Sequence, residues 1–275
     1  MKPENLPQHL IKTLLPRNTR RKVNRWYKFR TADYILVSYP KCGRTWLRVM
    51  LSNYYVERYG LARGTLLDFA NLHIQNREIP KIFLSNDIPH TAVPPEQVSA
   101  DKTAYYDRKV IYLTRDPRDV VVSMYFQRTR RDTNYTGTLS EFTFAREGGI
   151  ETMIRFYNVW ADSFPKIKDL LMIRYEDMKA NPENTMISLL QFLGHEPDRN
   201  IVHNAVEAAS FDRMKNMERN NAFDRSWLQA GDVNDEESFK VRRGKIGGYA
   251  DYLDKDDIEK INRLIETGLS PVFGY

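Results

Sequence analysis

Short apolar segments that alternate with helical patterns limit most strongly how this chain of 275 residues folds. The segments lie at 34–38, 81–85, 109–114 and 170–174, and their length and partly β-branched composition are typical of buried strands. Strands that alternate with helices form βαβ units, in which the strands run parallel and helices cover both faces of the sheet. Since no internal repeat or linker divides the chain, the sequence predicts a single α/β domain with a central parallel sheet flanked by helices.

Apolar spacing and capping residues predict the helices. The spacing of Leu, Met and Tyr predicts a helix over 45–58. Asp116 and the proline after it begin a helix that runs to about Arg130. Thr138 and Glu141 have the spacing of a capping box before a further helical region. Other helices are predicted over 184–193, 199–208 and 256–266, and a long loop over 220–249.

The positive charge of the chain is concentrated near its N-terminus. The whole chain has 42 Lys and Arg against 36 Asp and Glu, a formal net charge of +6. Residues 1–30 contain nine basic residues and one acidic residue, a balance of +8, which leaves −2 for residues 31–275. The sequence therefore predicts a basic arm over 1–30 and one domain over 31–275. Such an arm is most often a solvated, partly helical segment, and the alternative is a module that binds a polyanion.

Composition excludes several classes of protein. With 41% hydrophobic and 28% charged residues, the chain is neither disordered nor fibrous in character. No uncharged apolar stretch approaches the roughly eighteen residues that a membrane helix needs, and Lys12 interrupts the one segment that resembles a signal-peptide core. The single cysteine makes no internal disulfide, and the five histidines lack metal-ligand spacing. These features predict a cytoplasmic protein without a metal site.

The turn after the first strand has the features of an anion-binding loop. It has the sequence YPKCGRTW over residues 39–46. A strand that enters a glycine-containing turn and then a helix presents backbone amides and the positive helix end to an anion. Lys41 adds a mobile charge and Thr45 a hydroxyl group. The Walker A pattern is absent, which disfavours an ATP or GTP hydrolase.

Two further segments carry placed arginines. Arg115 ends the third strand, and Ser123 lies about two helical turns further on. The planar guanidinium of arginine suits paired hydrogen bonds to phosphate, whereas Arg118 and Asp119 are expected only to decorate the start of the helix. The segment VRRGKIGGY over 241–249, preceded by a lysine, combines clustered basic residues with three glycines. Each of these signals is weak by itself.

Taken together, the three segments resemble the sulfotransferase family that uses 3′-phosphoadenosine 5′-phosphosulfate (PAPS). YPKCGRTW resembles the family's YPKSGTTW loop, RDPRDVVVS over 115–123 its RNPKDVAVS segment, and RRGKIGGY its RKGxxGDW loop. YEDM with NP over 175–182 resembles YEDMKxNP, and the segment 209–215 resembles TSFxxMK. The five motifs are collinear from residue 34 to about 250. The resemblance implies a P-loop-like nucleotide-binding core and transfer of a sulfuryl group from PAPS to a hydroxyl or amine.

The resemblance also implies roles for individual residues. Lys41 would assist departure of the leaving phosphate, and no metal is required. Residues that would hold the 5′ end of the donor are Lys41, Cys42, Gly43, Arg44, Thr45 and Trp46. Residues that would grip the 3′-phosphate are Arg115, Ser123, Arg242, Arg243 and Gly244. Residues that match positions around the adenine and its phosphate are Tyr175, Ser210, Phe211 and Met214.

The chain departs from the family at the position of the catalytic base. The family has a histidine just after the strand predicted at 81–85, and this chain has Asn86, which accepts no proton at physiological pH. Three interpretations are open: His90 reaches the site, Asp87 is the base, or Asn86 leaves donor binding intact and lowers turnover. In the third case the protein is a catalytically impaired PAPS-binding protein. The smaller change to Cys42 is interpreted as a buried small residue in preference to a reactive thiol.

The acceptor is the least specified partner. The resemblance implies a small molecule, a lipid or a carbohydrate, and no stable complex with nucleic acid is expected. Loops at 61–80, 88–105, 128–140 and 220–240 are expected to shape its pocket. Aromatic candidates for that pocket, for which core packing is an equal explanation, are Phe69, Tyr105, Tyr106, Tyr135, Phe223 and Trp227.

Overall fold

A four-stranded parallel sheet forms the centre of the molecule. The computed structural model describes residues 16–88, 90–220 and 231–275 of the chain. The strands are β1 (Tyr34–Ser38), β2 (Ile82–Ser85), β3 (Lys109–Thr114) and β4 (Asp169–Arg174). All neighbouring pairs are parallel, in the order β2-β1-β3-β4. The predicted α/β domain with a central parallel sheet is confirmed.

Burial follows the position of each strand in the sheet. All five residues of β1 are buried, because β2 and β3 pair with its two edges and helices cover its faces. Ile35 pairs with Phe83 on one side and with Val110 on the other. Edge strand β4 is mostly half-buried. The continuous apolar sequence of β1 is therefore the consequence of its central place.

Helices pack on the sheet in two groups. The helices of the described residues are α1 (Arg17–Thr31), α2 (Arg44–Tyr59), α3 (Asn71–Gln75), α4 (Pro117–Phe126), α5 (Leu139–Thr143), α6 (Ile150–Ala161), α7 (Tyr175–Ala180), α8 (Pro182–Phe192), α9 (Arg199–Ala208), α10 (Phe211–Arg219) and α11 (Lys255–Gly268). Helix α2 packs against α9, which also contacts α8, and α4 packs against α5 and α6, with α11 beyond α6.

Several helix boundaries differ from the prediction. The helix expected to reach Arg130 ends at Phe126 and continues as a wide turn over Gln127–Arg131. The capping box at Thr138 starts the short helix α5, and α6 follows separately. Helices α7 and α10 were not predicted, since α7 is only six residues long and the sequence of α10 is largely polar.

Helix α1 lies against the edge of the sheet. The Phe29 ring meets the rings of Phe83 and Tyr105 edge-on, with centroid distances of 6.2 and 5.1 Å. Arg108 donates to the carbonyl groups of Phe29 and Ala32, at 3.0 and 2.6 Å. The proposed boundary between arm and domain thus falls in the last turn of a packed helix. Over the described ranges, no helix has both the length and the apolar character needed to cross a bilayer.

Candidate functional site

A cavity of about 520 Å³ lies at the carboxyl ends of all four strands. Ser38, Asn86, Arg115 and Tyr175, each at or just beyond the end of a strand, line it. Parallel sheets bind ligands at this edge, where the strand order reverses about β1. The charged lining is unbalanced. Its basic members are Lys41, Arg44, Arg48, Arg115, Lys179, Lys240, Arg242, Arg243 and Lys245, and its acidic members are Asp119 and Asp132.

The loop between β1 and α2 has a backbone that only certain residues tolerate. Gly43 has a φ of 94°, and a Cβ at this position would lie 2.6 Å from Cδ2 of Tyr175. Both the positive φ and the close approach require glycine. Lys41 also has a positive φ, 72°, which turns its side chain into the cavity lining. The first amides of α2 remain available to an anion beside it.

Lys41 lies in an environment that disfavours its charge. Its Nζ donates to Oε1 of Gln127 at 3.1 Å. Burial lowers the pKa of Lys41 to about 7, with further lowering by the cations Lys240 and Arg131, and Glu218 opposes the change. A bound anion would raise this pKa, because an opposite charge favours the ammonium form. Anion binding beside Lys41 therefore favours the charged form of its amine.

Cys42 is a structural residue. Its side chain is fully buried, and Sγ lies 3.4 Å from the hydroxyl of Tyr157. Burial raises the pKa of the Cys42 thiol to about 12. The interpretation of Cys42 as a buried small residue is confirmed, because its side chain is fully buried.

Aromatic rings line one side of the cavity. Trp46 and Tyr175 meet edge-on at 5.9 Å, and Trp46 is fixed by a hydrogen bond of 2.9 Å from Nε1 to the carbonyl of Ala209. Lys179 Nζ lies 5.8 Å from the ring centres of both Trp46 and Phe211. Flat apolar surfaces beside a cation suit a purine ring.

Arg115 connects three parts of the site. Its guanidinium lies over the ring of Tyr175 at 4.2 Å and donates to the carbonyls of Lys41 and Lys245, at 3.4 and 3.2 Å. It also pairs with Asp119 at 3.4 Å. Its Nε is buried and has no hydrogen-bond partner. A buried donor without a partner is costly, so this atom points to a ligand that accepts from it.

The segment 240–249 closes the cavity and is held by two buried carboxylates. Asp119 accepts from the amides of Gly247 and Tyr249, both at 3.0 Å. Glu218, which is 1% exposed, accepts from the amides of Lys240 and Val241 at 2.6 and 2.8 Å. The expectation that Asp119 only decorates the start of a helix is wrong, because its side chain is 2% exposed and anchors a loop.

Arg118 is a second exception to that expectation. It pairs with Asp116 at 2.8 Å, donates to Asn262 at 2.8 Å, and lies over the ring of Tyr249 at 4.9 Å. It thus connects α4 with α11 and the closing segment. Neither Arg118 nor the carboxylates of Asp119 and Glu218 were recognisable in the sequence, because their partners in other segments lie 22 to 144 residues away along the chain and give no local signal.

The closing segment also brings its own cations to the cavity. Gly244 has a φ of 58°, and a Cβ there would lie 2.8 Å from Cδ2 of Phe211. Arg242 pairs with Glu237 at 2.8 Å, and Arg243 pairs with Asp251 at 3.3 Å. Both arginines line the cavity and are oriented by these carboxylates.

The predicted donor residues therefore converge on this cavity, with two exceptions, Cys42 and Ser210. Among the residues that match the family motifs, those that line the cavity are Lys41, Gly43, Arg44, Thr45, Trp46, Arg115, Ser123, Tyr175, Phe211, Met214, Arg242, Arg243 and Gly244. Cys42 lies buried beneath the loop. Ser210 precedes α10 and does not line the cavity.

The protein-family model of the sulfotransferase domain matches residues 31–272 of this chain. The chain belongs to the sulfotransferase family. The resemblance seen in the motifs is thereby confirmed over nearly the whole sequence, and the protein is a transferase of sulfuryl groups.

Curated relatives and solved structures agree with this assignment. The chain is 26% identical to cytosolic sulfotransferase 16 of Arabidopsis thaliana, over 87% of this chain and 77% of the relative. It is 24% identical to flavonol 3-sulfotransferase of Flaveria bidentis, over 88% of this chain and 83% of that relative. A mouse sulfotransferase crystallised with 3′-phosphoadenosine 5′-phosphate (PAP) superposes on this structure with a TM-score of 0.60. It is 22% identical in sequence, and the match covers 87% of this chain and 85% of that chain. Retinol dehydratase in complex with androsterone and PAP also has a TM-score of 0.60, at 17% identity, over 86% of this chain and 80% of that chain. These two structures show the same fold.

The three candidates for the base position, which follow β2, differ in whether they line the cavity. Asn86 lines the cavity, and its Oδ1 is buried without a hydrogen-bond partner. Asp87 pairs with Nζ of the buried Lys102 at 2.8 Å and accepts from the hydroxyl of Tyr105 at 2.6 Å. His90 is exposed and is not part of the lining. In this sulfotransferase only Asn86 of the three candidates for the base position contacts the cavity.

The four aromatic candidates for the acceptor pocket that the structure describes do not line this cavity. Tyr105 is buried between Phe29 and Trp160. The side chains of Phe69, Tyr106 and Tyr135 pack against the core. Phe223 and Trp227 lie outside the described residues. For the described aromatics, core packing is the correct explanation. Across the ranges that the structure describes, no group of three or more His, Cys, Asp or Glu could hold a metal ion.

Proposed function

We propose that this sulfotransferase takes its sulfuryl group from PAPS and transfers it in line to a hydroxyl or amine. The observation that carries the proposal is that one cavity contains both predicted phosphate sites. The loop with Lys41 forms one, the segment with Arg115, Arg242 and Arg243 forms the other, and Trp46 and the other aromatic rings lie beside them. A nucleotide with charge at both ends and a purine needs these three features in one place.

The residues present fit such a donor. Gly43 and Gly244 leave room that a Cβ would fill, and the buried Nε of Arg115 has no partner within the protein. Sulfuryl transfer leaves negative charge on the departing phosphate oxygen, and a positioned cation lowers the free energy of the transition state. In this chain the amine of Lys41 provides that cation. Ser123 and Met214 complete the lining at the 3′ end and the adenine.

Titration with the product nucleotide PAP tests the donor site. We expect saturating PAP to raise the melting temperature through ligand linkage. Lys41→Ala is expected to weaken PAP binding roughly tenfold, because one charge-assisted contact is lost. Lys168→Met is the control, because this exposed lysine lies just before β4, at the opposite end of the strand from the cavity. Absence of a thermal shift, together with unchanged binding in Lys41→Ala, would contradict the donor assignment.

A basic module that binds polyanions through residues 1–30 is the alternative from another functional class. It predicts affinity for a sulfated polymer that falls steeply with salt and survives Lys41→Ala. Nothing in the cavity favours it, because the described part of the basic arm contributes no lining residue.

The identity of the catalytic base is a separate question, and it depends on the role of Asn86. The amide oxygen of Asn86 is suited to accept a hydrogen bond from the acceptor and so to position it. Asp87 is unsuited as base because Lys102 and Tyr105 already occupy its carboxylate oxygens. His90 is the only histidine among the three candidates. Because its exposed side chain lies outside the cavity lining, it reaches the cavity only if the backbone around it moves.

Two substitutions separate these roles. Asn86→His is expected to raise kcat by about a hundredfold, the usual contribution of a general base, if turnover is limited by proton removal. His90→Ala is expected to lower activity if the exposed imidazole serves as base. Rates are measured with PAPS and a panel of phenols and amines, alongside PAP affinity. Unchanged activity in His90→Ala eliminates that residue, and no turnover by the wild-type protein with intact PAP binding supports the catalytically impaired alternative.

The remaining assignments are proposals of the same kind. We propose a small-molecule, lipid or carbohydrate acceptor and no stable nucleic-acid complex. A cytoplasmic location is proposed because the single cysteine is a buried thiol and one of the relatives is named a cytosolic sulfotransferase. The division into an arm at 1–30 and a domain at 31–275 also stays a proposal.

A further inference from the structure

Gln127 lies in the wall of the cavity and belongs to none of the donor motifs. It is the first residue of the wide turn Gln127–Arg131, which follows α4. Nζ of Lys41 donates to its Oε1 at 3.1 Å. Within the ranges that the structure describes, this amide oxygen is the one hydrogen-bond partner of the Lys41 amine. The amine that the proposed mechanism uses as its cation is therefore held by a neutral group.

A carboxylate fixes the orientation of the Gln127 amide. Nε2 of Gln127 donates to Oδ1 of Asp132 at 2.9 Å. The turn brings the two residues together, because the backbone amide of Asp132 donates to the carbonyl of Gln127, also at 2.9 Å. The ammonium group of lysine only donates and an ionised carboxylate only accepts. The two neighbours thus require opposite ends of the side-chain amide, and its oxygen faces Lys41.

Contacts outside the cavity anchor this turn. Arg131 donates to Oε1 of Glu218 at 3.1 Å, which connects the turn with α10. Nε of Arg128 donates to Oδ1 of Asn134 at 2.7 Å. These contacts fix the backbone that carries both the glutamine and the aspartate.

The neutrality of the amide matters because of the charges around Lys41. The charged groups that face its amine are Lys240, Arg131, Glu218 and Arg242. Burial and the three cations among these groups lower the pKa of Lys41 to about 7. An amide oxygen orients the amine without adding a counter-charge, whereas a carboxylate in the same place would pair with it and compete with a phosphate.

We propose that Gln127 is a positioning residue, itself oriented by Asp132, that directs the amine of Lys41 toward the donor and leaves it to pair with the departing phosphate. The inference rests on the proposed function, since it requires that the donor binds beside Lys41. It adds to that function a residue that acts through Lys41.

The pKa of Lys41 in the ligand-free protein tests the contact. It is measured from the pH dependence of amine acetylation by acetic anhydride, followed by mass spectrometry. We expect about 7 in the wild type. Gln127→Glu is expected to raise the pKa by at least about 1, because it adds an opposite charge, and Gln127→Met to lower it, because the ammonium form loses its acceptor. The double variant Gln127→Glu/Asp132→Asn is expected to show the same rise without two adjacent carboxylates.

Binding of PAP tests the positioning role. Calorimetry at pH 8 in buffers of different ionisation enthalpy gives the affinity and the number of protons taken up. We expect Gln127→Glu to weaken PAP about tenfold and to reduce proton uptake, because Lys41 is already charged and paired before PAP binds. Asp132→Ala is expected to weaken PAP about threefold. Asp132→Asn is expected to weaken it less, since its amide oxygen still accepts.

Asn134→Ala is the matched control. It removes a side-chain contact within the same region, and Asn134 is not part of the cavity lining. It is expected to change neither the pKa of Lys41 nor the proton uptake. The same Lys41 pKa in the wild type, Gln127→Glu and Gln127→Met overturns the proposal. A changed pKa with wild-type PAP affinity and proton uptake also overturns it. If the wild type fails to bind PAP, the donor assignment fails, and the acetylation experiment still decides whether Gln127 holds Lys41.

Discussion

At the scale of single residues, Lys41 combines a proposed functional role with a cost in stability. Its pKa is about 7 in the folded protein, against an ordinary value of 10.5. Between these values the unfolded chain binds more protons than the folded one, so the free energy of unfolding rises with pH over that range. Below about pH 7 the folded protein carries the full penalty of a buried ammonium group. An anion bound beside Lys41 would reduce that penalty, because an opposite charge favours the ammonium form.

The effect of Lys41→Met on stability follows from this increase of the free energy of unfolding with pH. We expect the substitution to stabilise the ligand-free protein more at pH 6 than at pH 9, with a difference of about 1–2 kcal/mol. Urea unfolding at the two pH values measures it. Lys168→Met, at an exposed lysine, is expected to show no such difference. An equal effect of Lys41→Met at both pH values would mean that Lys41 keeps its ordinary pKa in the folded state.

At the scale of elements, the turn after β2 depends on an ion pair outside the cavity. Asp87 has a positive φ of 49°, a conformation that is uncommon for a residue other than glycine. Lys102, which is 1% exposed, and Tyr105 hold its carboxylate from a different segment of the chain. This pair fixes the backbone from which Asn86 enters the cavity.

Breaking that pair is expected to destabilise the protein strongly. Lys102→Met leaves the Asp87 carboxylate without its counter-charge and is expected to lower the free energy of unfolding by about 3 kcal/mol. Adding Asp87→Asn is expected to restore part of this loss, because the amide needs no counter-charge. Lys81→Met breaks the exposed pair with Asp33 at 3.7 Å and is expected to change stability by less than about 1 kcal/mol. Equal losses in Lys102→Met and Lys81→Met would refute a structural role for the buried pair.

At the scale of the whole molecule, net charge and site charge are separate properties. The region 31–275 sums to −2, yet the cavity lining contains nine basic and two acidic residues. The basic arm adds +8 to the chain, and its described part lies outside the cavity, on the edge of the sheet. Its contribution to the protein is therefore expected in stability more than in donor affinity.

Deletion of residues 1–30 tests that separation. We expect a lower melting temperature, since Phe29 no longer covers Phe83 and Tyr105, and a PAP affinity within about threefold of the full chain at physiological ionic strength. Phe29→Ala is expected to reproduce most of the loss of stability, whereas Trp26→Ala, at a side chain that is 43% exposed, is not. A tenfold loss of PAP affinity in the deletion variant would assign the arm to the donor site.

The sequence by itself determined the sheet and most of the predicted residues that line the cavity. Strand β1 is recognisable because burial on both faces requires a continuous apolar run, and the loop at 39–46 because its glycine, lysine and hydroxyl lie next to each other in the chain. Arg115 and Gly244 were found for the same reason, each within a short motif. Signals of this kind survive in a linear sequence because they depend on neighbouring residues.

Only the tertiary structure decided how the rest of the site is arranged. Asp119 and Glu218 hold a segment that lies 128 and 22 residues away along the chain, and no local pattern marks either carboxylate. Asp87 is withdrawn from the cavity by Lys102, and the side chain of Arg44 turns toward β2 although its backbone belongs to the donor loop. Each of these outcomes depends on which side chains meet across the fold and in which direction they point, and the long-range packing of the chain alone sets both.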